Sequence, residues 1–460
     1  IMRHINIRLW TILFVLVLPA VSCENYLETE LPQNQMDHTL VFDRVETAHA
    51  ALAGLYGGIW EDSPLSGSSR GAGALLGAYT DDLESYSPTV PNAAYDLFLN
   101  QQIAGNTSVY TIWSNAYTKV YQANAILEGI EKSSGIGEAD KALIRGETLL
   151  TRSIMYFYLQ QIFGDIPVPL TTDYRINQNI GKTNAEVVLE MLEHDLLLCI
   201  QLLKTEYRNP ERIYPNRHVA SLMLARVYAL QQKWHKAEVL LQDIAADPLY
   251  IFENNLSKVF DKSGKHILWQ LKPKNSGDAT KEAVLYYFAN AAPSNVALSP
   301  SLIASLDSGD LRKTQWTAAV PVGPNVWHRV AKYKNRTANT TEYSIVFRLE
   351  EVYLLLAESL ARQSKTDAAL PYLNWTRIRA GLTPVVSPVT DSLLLDEIEK
   401  EFQREFFAEM GQRFFVLKRM DRLPQLTAVK PNWKSYHQLW PLPQKELLLN
   451  PNLNPQNTGY

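Results

Sequence analysis

The residue best placed for covalent chemistry is Cys23, which follows Pro19-Ala20-Val21-Ser22. Ahead of it stand a short basic stretch with Arg3, His4 and Arg8 and a mainly apolar run over residues 9–18. That layout is a secretory signal. The apolar run is about half the ~20 residues that a helix needs to cross a bilayer, so it reads as a removable leader. A thiol directly after small residues is where a bacterial signal peptidase cuts and diacylglycerol is attached; Ala20 stands where such sites usually carry Leu. The expectation is a signal over residues 1–22, a lipid on Cys23 and a polar tether over residues 23–40. Several acyl chains, at about 0.8 kcal/mol per buried CH₂, hold a protein at a membrane where one chain is marginal.

Other reactive constellations are weak. Asp81 and Asp82 are adjacent, whereas glycoside hydrolysis needs two carboxylates facing each other across a cleft, roughly 5–10 Å apart. The sequence has no His-Glu-x-x-His, Gly-x-Ser-x-Gly or P-loop pattern, and its nine histidines are scattered without zinc-ligand spacing. No enzyme activity, metal or cofactor is expected. With Cys23 used by the anchor, Cys199 has no disulfide partner and reads as a small buried hydrophobe. A net charge of −4 gives no positive field for nucleic acid.

The elements that must position any site are helical. Apolar residues at 113, 116, 117, 120, 121, 123 and 127 recur at spacings of three and four, and a second run over 143–163 stops at Gly164-Asp165-Ile166-Pro167. The two read as an antiparallel pair. A repeat follows: Leu224-Ala225-Arg226 leads into Lys233-Trp234-His235-Lys236-Ala237, and Leu356-Ala357-Glu358 leads into Lys365-Thr366-Asp367-Ala368-Ala369. Matching alanines that let two helices approach are the logic of a tetratricopeptide (TPR) unit, here with copies separated by a long insertion. Residues 250–345 hold Gly, Pro, Asn and Thr clusters with short apolar runs, which predict short strands and long loops. The end from Pro424 onward predicts irregular structure. The fold expected is mostly α: a TPR-like helix-turn-helix scaffold with long loops and a few short strands, in one domain over residues 41–460.

Several segments, in order, resemble the SusD/RagB family of outer-membrane nutrient-binding lipoproteins. They are Gly146-Glu147-Thr148 through Arg152, Tyr156-Phe157 and Phe163-Gly164-Asp165-Ile166-Pro167; Phe347-Arg348-Leu349-Glu350-Glu351 through Ala357-Glu358; Leu373-Asn374-Trp375-Thr376-Arg377; and Leu439-Trp440-Pro441-Leu442-Pro443 with the closing Gln456-Asn457-Thr458-Gly459-Tyr460. One stretch departs: Glu409-Met410 stand where the family has Phe-Glu before Gly411, and Val416 replaces the usual Asp. The resemblance implies a lipid-anchored protein facing the cell exterior of the outer membrane. Its partner would be a SusC-like TonB-dependent transporter barrel, for which it captures glycan. A peptide-binding member of the family and a TPR-like protein-interaction scaffold are the alternatives.

In such proteins the ligand surface lies in loops outside the helices, here about residues 65–105 and 250–345. A sugar ring presents an apolar C–H face and a rim of hydroxyls, so its site wants flat exposed aromatics beside polar groups. The first loop offers Arg70, Asp81, Asp82, Tyr86 and Tyr95, and the insertion offers Tyr286, Tyr287, Trp316 and Trp327. Trp316, between Gln315 and Thr317 and close to Arg312 and Lys313, is the first choice for a stacking platform, and Tyr86 beside Pro88 is the best aromatic of the first loop. Asp81-Asp82 resembles an acidic pair of the family, one member of which is expected to accept a hydrogen bond from a ligand hydroxyl.

Overall fold

Both alanine-marked helix pairs form, and they pack side by side. The first is α6 (Arg217–Leu230) with α7 (Trp234–Ala246), the second α8 (Leu349–Ala361) with α9 (Thr366–Arg379). Ala225, Ala237, Ala357 and Ala369 are all fully buried. Small side chains at such positions let two packed helix backbones approach closely. Although about a hundred residues separate them in sequence, α7 packs directly on α8. This is a computed structural model, and it describes residues 41–86 and 92–460. The expected signal, Cys23 and the tether lie outside the described residues, as does Pro88.

The same stacking runs through the preceding helices: α1 (Val45–Glu61), α2 (Ala72–Tyr79), α3 (Thr107–Lys132), α4 (Glu138–Phe163) and α5 (Ala185–Leu202). From α3 to α9 each of these helices packs on the next. Asn106 starts α3 by accepting from the backbone N–H groups of Ser108 and Val109, an N-cap that satisfies two of the four free donors. Helix α4 stops as its sequence predicts, at Gly164 with φ of 78°. Two further helices, α10 (Asp391–Phe406) and α11 (Gln412–Arg419), close the stack and carry it back to α2. Cys199 is buried without a disulfide. The main apolar core draws on residues from Phe42 to Leu442. The fold is thus mostly α with TPR-like helix pairs.

Among the described residues the insertion between the repeat copies holds every short strand but one, which comes from the first loop. Three two-stranded antiparallel sheets form: β1 (Leu83–Ser85) with β3 (Val296–Leu298), β2 (Ile267–Leu271) with β6 (Ser344–Arg348), and the hairpin of β4 (Thr317–Val322) with β5 (Asn325–Val330). Gly323 turns that hairpin at φ of 59°, a left-handed conformation that side chains resist. The segment after Pro424 is made of loops, short helical turns and the six-residue helix Gln444–Leu449 that pack back on the body, with the backbone of Trp440 donating to Ile162 and its indole buried.

The insertion is fastened to the helices by charge. Arg312 donates to Asp310 at 2.8 Å, Glu401 at 2.7 Å and Glu405 at 3.1 Å, all fully buried. Arg348 bonds Glu405 and Glu409, Arg379 bonds Glu350 and Glu405, and Lys332 donates to Glu409 and to the carbonyls of Glu405 and Phe407. Burial by itself would raise the Glu405 carboxyl pKa, but Arg379, Arg348 and Arg312 together bring it below the usual range. Charges this far from water are tolerated only when paired. The family departure at Glu409-Met410 falls here: the carboxylate of Glu409 is the shared acceptor of Lys332 and Arg348.

Candidate functional site: an aromatic face with two arginines

Four of the nine residues singled out by sequence lie in the interior. Trp316 is 1% exposed; its indole N–H donates to the Leu256 carbonyl at 3.0 Å and its ring meets Phe260 edge-on at 5.4 Å. It cannot serve as a platform. Its polar neighbours misled: Arg312 is the hub of the buried ion network, so a charged residue beside Trp316 marks the interior here. Tyr286 is also buried, with its hydroxyl 3.4 Å from the Ala408 carbonyl.

The acidic pair is equally occupied. Arg413 grips Asp81 with Nε at 2.7 Å and Nη2 at 2.8 Å and also bonds Glu399. Burial pushes the Asp81 pKa up, but the Arg413 charge outweighs it and holds the carboxyl below its ordinary value. Asp82, 1% exposed, accepts from the Ala408 backbone N–H at 3.2 Å and from Gln403 at 3.4 Å. Burial first, and the neighbouring Asp81 charge second, push its pKa up to about 7. These carboxylates lock the first loop to α10 and α11 and offer nothing to a sugar hydroxyl.

Two more residues stand apart. Arg70 is exposed and pairs with Asp62 at 3.2 Å beyond the end of α1. Tyr95, half-buried on the short helix Ala93–Phe98, lies against Phe98 at 5.8 Å.

The remaining three come together on an accessible face. β1 leads directly into Tyr86, whose backbone N–H donates to Asn295 at 2.7 Å, and β3 lies alongside β5. Trp327, on β5, lies beside the Tyr86 hydroxyl, which itself donates to Glu84. Burial, then the bond to Glu84, raises the Tyr86 pKa well above the usual range, so the phenol keeps its proton. Side chains alternate along a strand, so Arg329, two residues on, projects from the same face of β5 as Trp327. The Arg329 guanidinium lies 4.2 Å from the centre of the Tyr287 ring, and that of Arg336 lies 3.5 Å from the same ring. Tyr86, Trp327, Arg329 and Tyr287 are all half-buried and Arg336 is exposed.

The supports are rigid. Tyr287 follows the short helix Lys281–Leu285, started by Thr280 accepting from Ala283. The loop carrying Arg336 is tied at both ends: Lys334 and Asn335 donate to Glu342, and Asn339 donates to the carbonyls of Asp278 and Glu342. Sequence reading passed over Glu84 and Arg336. It quoted Arg329 only as a neighbour of Trp327, though the alternation in Asn325–Val330 was signal enough to link them. Nothing local marks Arg336; it is brought to Tyr287 by the fold. The face can stack a flat apolar surface on the rings of Tyr86 and Trp327 and offer it phenol, carboxylate and guanidinium groups.

Among the described residues no helix is long and apolar enough to cross a membrane, and no group of three or more His, Cys, Asp or Glu side chains is placed to hold a metal ion.

Comparison with known proteins agrees with the fold. A family model described as "Starch-binding associating with outer membrane" matches residues 25–229, and the SusD family model matches residues 323–460. A SusD-like protein of Formosa agariphila is 22% identical, with 97% of this chain and 98% of that protein aligned. Among solved structures, a laminarin-binding SusD-like protein superimposes with a TM-score of 0.76 at 21% identity, covering 90% of this chain and 99% of that one. Surface glycan-binding protein A of Bacteroides thetaiotaomicron, in complex with laminarihexaose, gives 0.76 at 17% identity with the same coverage. With both family models, a relative aligned over nearly its whole length and the helical architecture in agreement, the chain belongs to the SusD/RagB family.

Proposed function

We propose that this protein is a cell-surface lipoprotein that captures oligo- or polysaccharide on the face formed by Tyr86, Trp327 and Tyr287 and passes it to a TonB-dependent outer-membrane transporter barrel. The observation that carries this reading is the convergence itself. Three aromatic side chains from segments some 40 to 240 residues apart meet on one accessible face, beside carboxylate and guanidinium groups. Solved relatives whose descriptions name laminarin and laminarihexaose support a glycan as the ligand class.

A lipid on Cys23 would hold the protein at the outer membrane, a location that agrees with the description of the matched family. Binding without cleavage is the reading that fits the carboxylates, since Asp81 and Asp82 are spent on Arg413, Gln403 and the backbone of Ala408. Residues 41–460 are read as one domain, supported by a main core that draws on residues from 42 to 442.

The test is calorimetric titration of the full chain with a panel of oligosaccharides and peptides. Saturable binding of a saccharide, weakened by Trp327→Ala, is expected. Binding of peptides with no saccharide bound would overturn the reading.

A further inference from the structure

We infer that the glycan captured on this face carries negative charge, as a uronate carboxylate or a sulfate ester, and that Arg329 and Arg336 select it. This rests on the reading of the face as a glycan site and names the chemistry of the ligand.

The starting point is how the arginines of the interior are paired. Arg312, Arg348, Arg379 and Arg413 each meet at least one carboxylate at hydrogen-bonding distance. Arg329 and Arg336 meet none among the described residues: each is held against the ring of Tyr287, and no ion pair involves either. Two guanidinium groups centred on one ring lie well within a Debye length of each other and repel. The attraction of each to the ring quadrupole offsets part of that repulsion, but a ring is a weak partner compared with an anion. The Arg329 Nε–H is in addition buried without a hydrogen-bond partner. An unpaired donor shielded from water is costly to the folded chain.

An anion on the ligand offsets the repulsion and supplies the counter-charge that the described chain does not. A guanidinium presents a planar fork that matches carboxylate and sulfate oxygens, and stacking on Tyr287 fixes the plane of that fork. Arg329 shares its strand face with Trp327, about two residues or ~7 Å along β5. That span is close to one sugar unit, so a ring stacked at Trp327 and Tyr86 brings an acidic substituent on the same or the next unit to the arginine pair. Glu84, bonded to the Tyr86 hydroxyl, adds a single negative charge at the far end of the face and leaves the arginine end positive.

The test titrates the full chain with oligogalacturonate, with sulfated carrageenan oligosaccharide, with neutral laminarihexaose and with an acidic peptide, at low and high salt. The acidic probes should bind at least ten-fold more tightly than laminarihexaose, and raising the salt should weaken only the acidic probes. The better of the two identifies carboxylate or sulfate as the group read. An Arg329→Gln, Arg336→Gln double variant should lose at least ten-fold on the acidic probe with its melting temperature unchanged. The Arg329→Lys, Arg336→Lys variant keeps the charge without the planar fork and should fall between; the salt dependence of the unaltered chain needs no variant at all. Laminarihexaose binding as tightly as the acidic probes overturns the assignment of charge and leaves the glycan reading standing. Acidic peptide bound with no saccharide bound overturns both.

Discussion

Two parts of the molecule use the same pair of side-chain types, an aromatic ring with a guanidinium against it, for opposite ends. In the interior, Trp316 is ringed by Lys332, Arg348 and Arg379 at 5.1 to 6.0 Å. On the outer face, Tyr287 stands against Arg329 and Arg336. What separates them is the third partner. Each of these three interior cations has a carboxylate from another segment, chiefly Glu405 and Glu409, and the cluster is buried. On the face that partner is missing from the described chain, and the cations stay near water. An aromatic beside a basic residue is therefore ambiguous until the counter-charge is located, and the counter-charge is a property of the fold.

The contrast breaks most visibly by removing an interior cation. Arg312→Ala strands Asp310, Glu401 and Glu405 with no common partner and is expected to cost about 3–5 kcal/mol of unfolding free energy, measured by denaturant titration. Arg329→Ala on the face should stay within about 0.5 kcal/mol. Trp316→Ala should cost a similar ~3–5 kcal/mol through the cavity it leaves, while protein that remains folded keeps its ligand affinity.

A smaller effect follows from Asp82. Its folded pKa is raised from 3.8 to about 7. The folded state therefore holds a proton that the unfolded state has lost, and the resulting penalty grows as pH rises from 3.8 and is complete above about 7. Asp82→Asn should match the unaltered protein near pH 4 and be the more stable of the two at pH 8, giving a flatter melting-temperature profile. A flat profile for the unaltered chain would contradict the burial of that carboxyl. Smallest is Gly323→Ala: at φ of 59° it should cost about 1 kcal/mol and loosen the hairpin that presents Trp327 and Arg329, read as a modest loss of affinity.

The helices were legible because their signals are local. Alanines at 225 and 237, and again at 357 and 369, announce a close helix pair from a few turns of sequence, and Gly164 announces a helix end. That α7 would pack on α8 across the insertion was not legible, since contact between distant segments leaves no local periodicity. The site was half legible. Tyr286 and Tyr287 are neighbours with the same composition around them, yet one faces Ala408 in the interior and the other two arginines near solvent. Which one points inward depends on where the short helix Lys281–Leu285 ends. Asp81 and Asp82 looked like ligand acceptors because Arg413, more than 300 residues away, is invisible to them in the sequence.

The central claim is that the outer aromatic face binds and the inner aromatic cluster supports. It is tested most directly by comparing Trp327→Ala with the unaltered chain, measuring saccharide affinity by calorimetry and the melting temperature on the same preparation. A loss of roughly ten-fold or more in affinity, about 1.4 kcal/mol, with the melting temperature unchanged is the expected result. Unchanged affinity, or a loss that appears only together with unfolding, would contradict it.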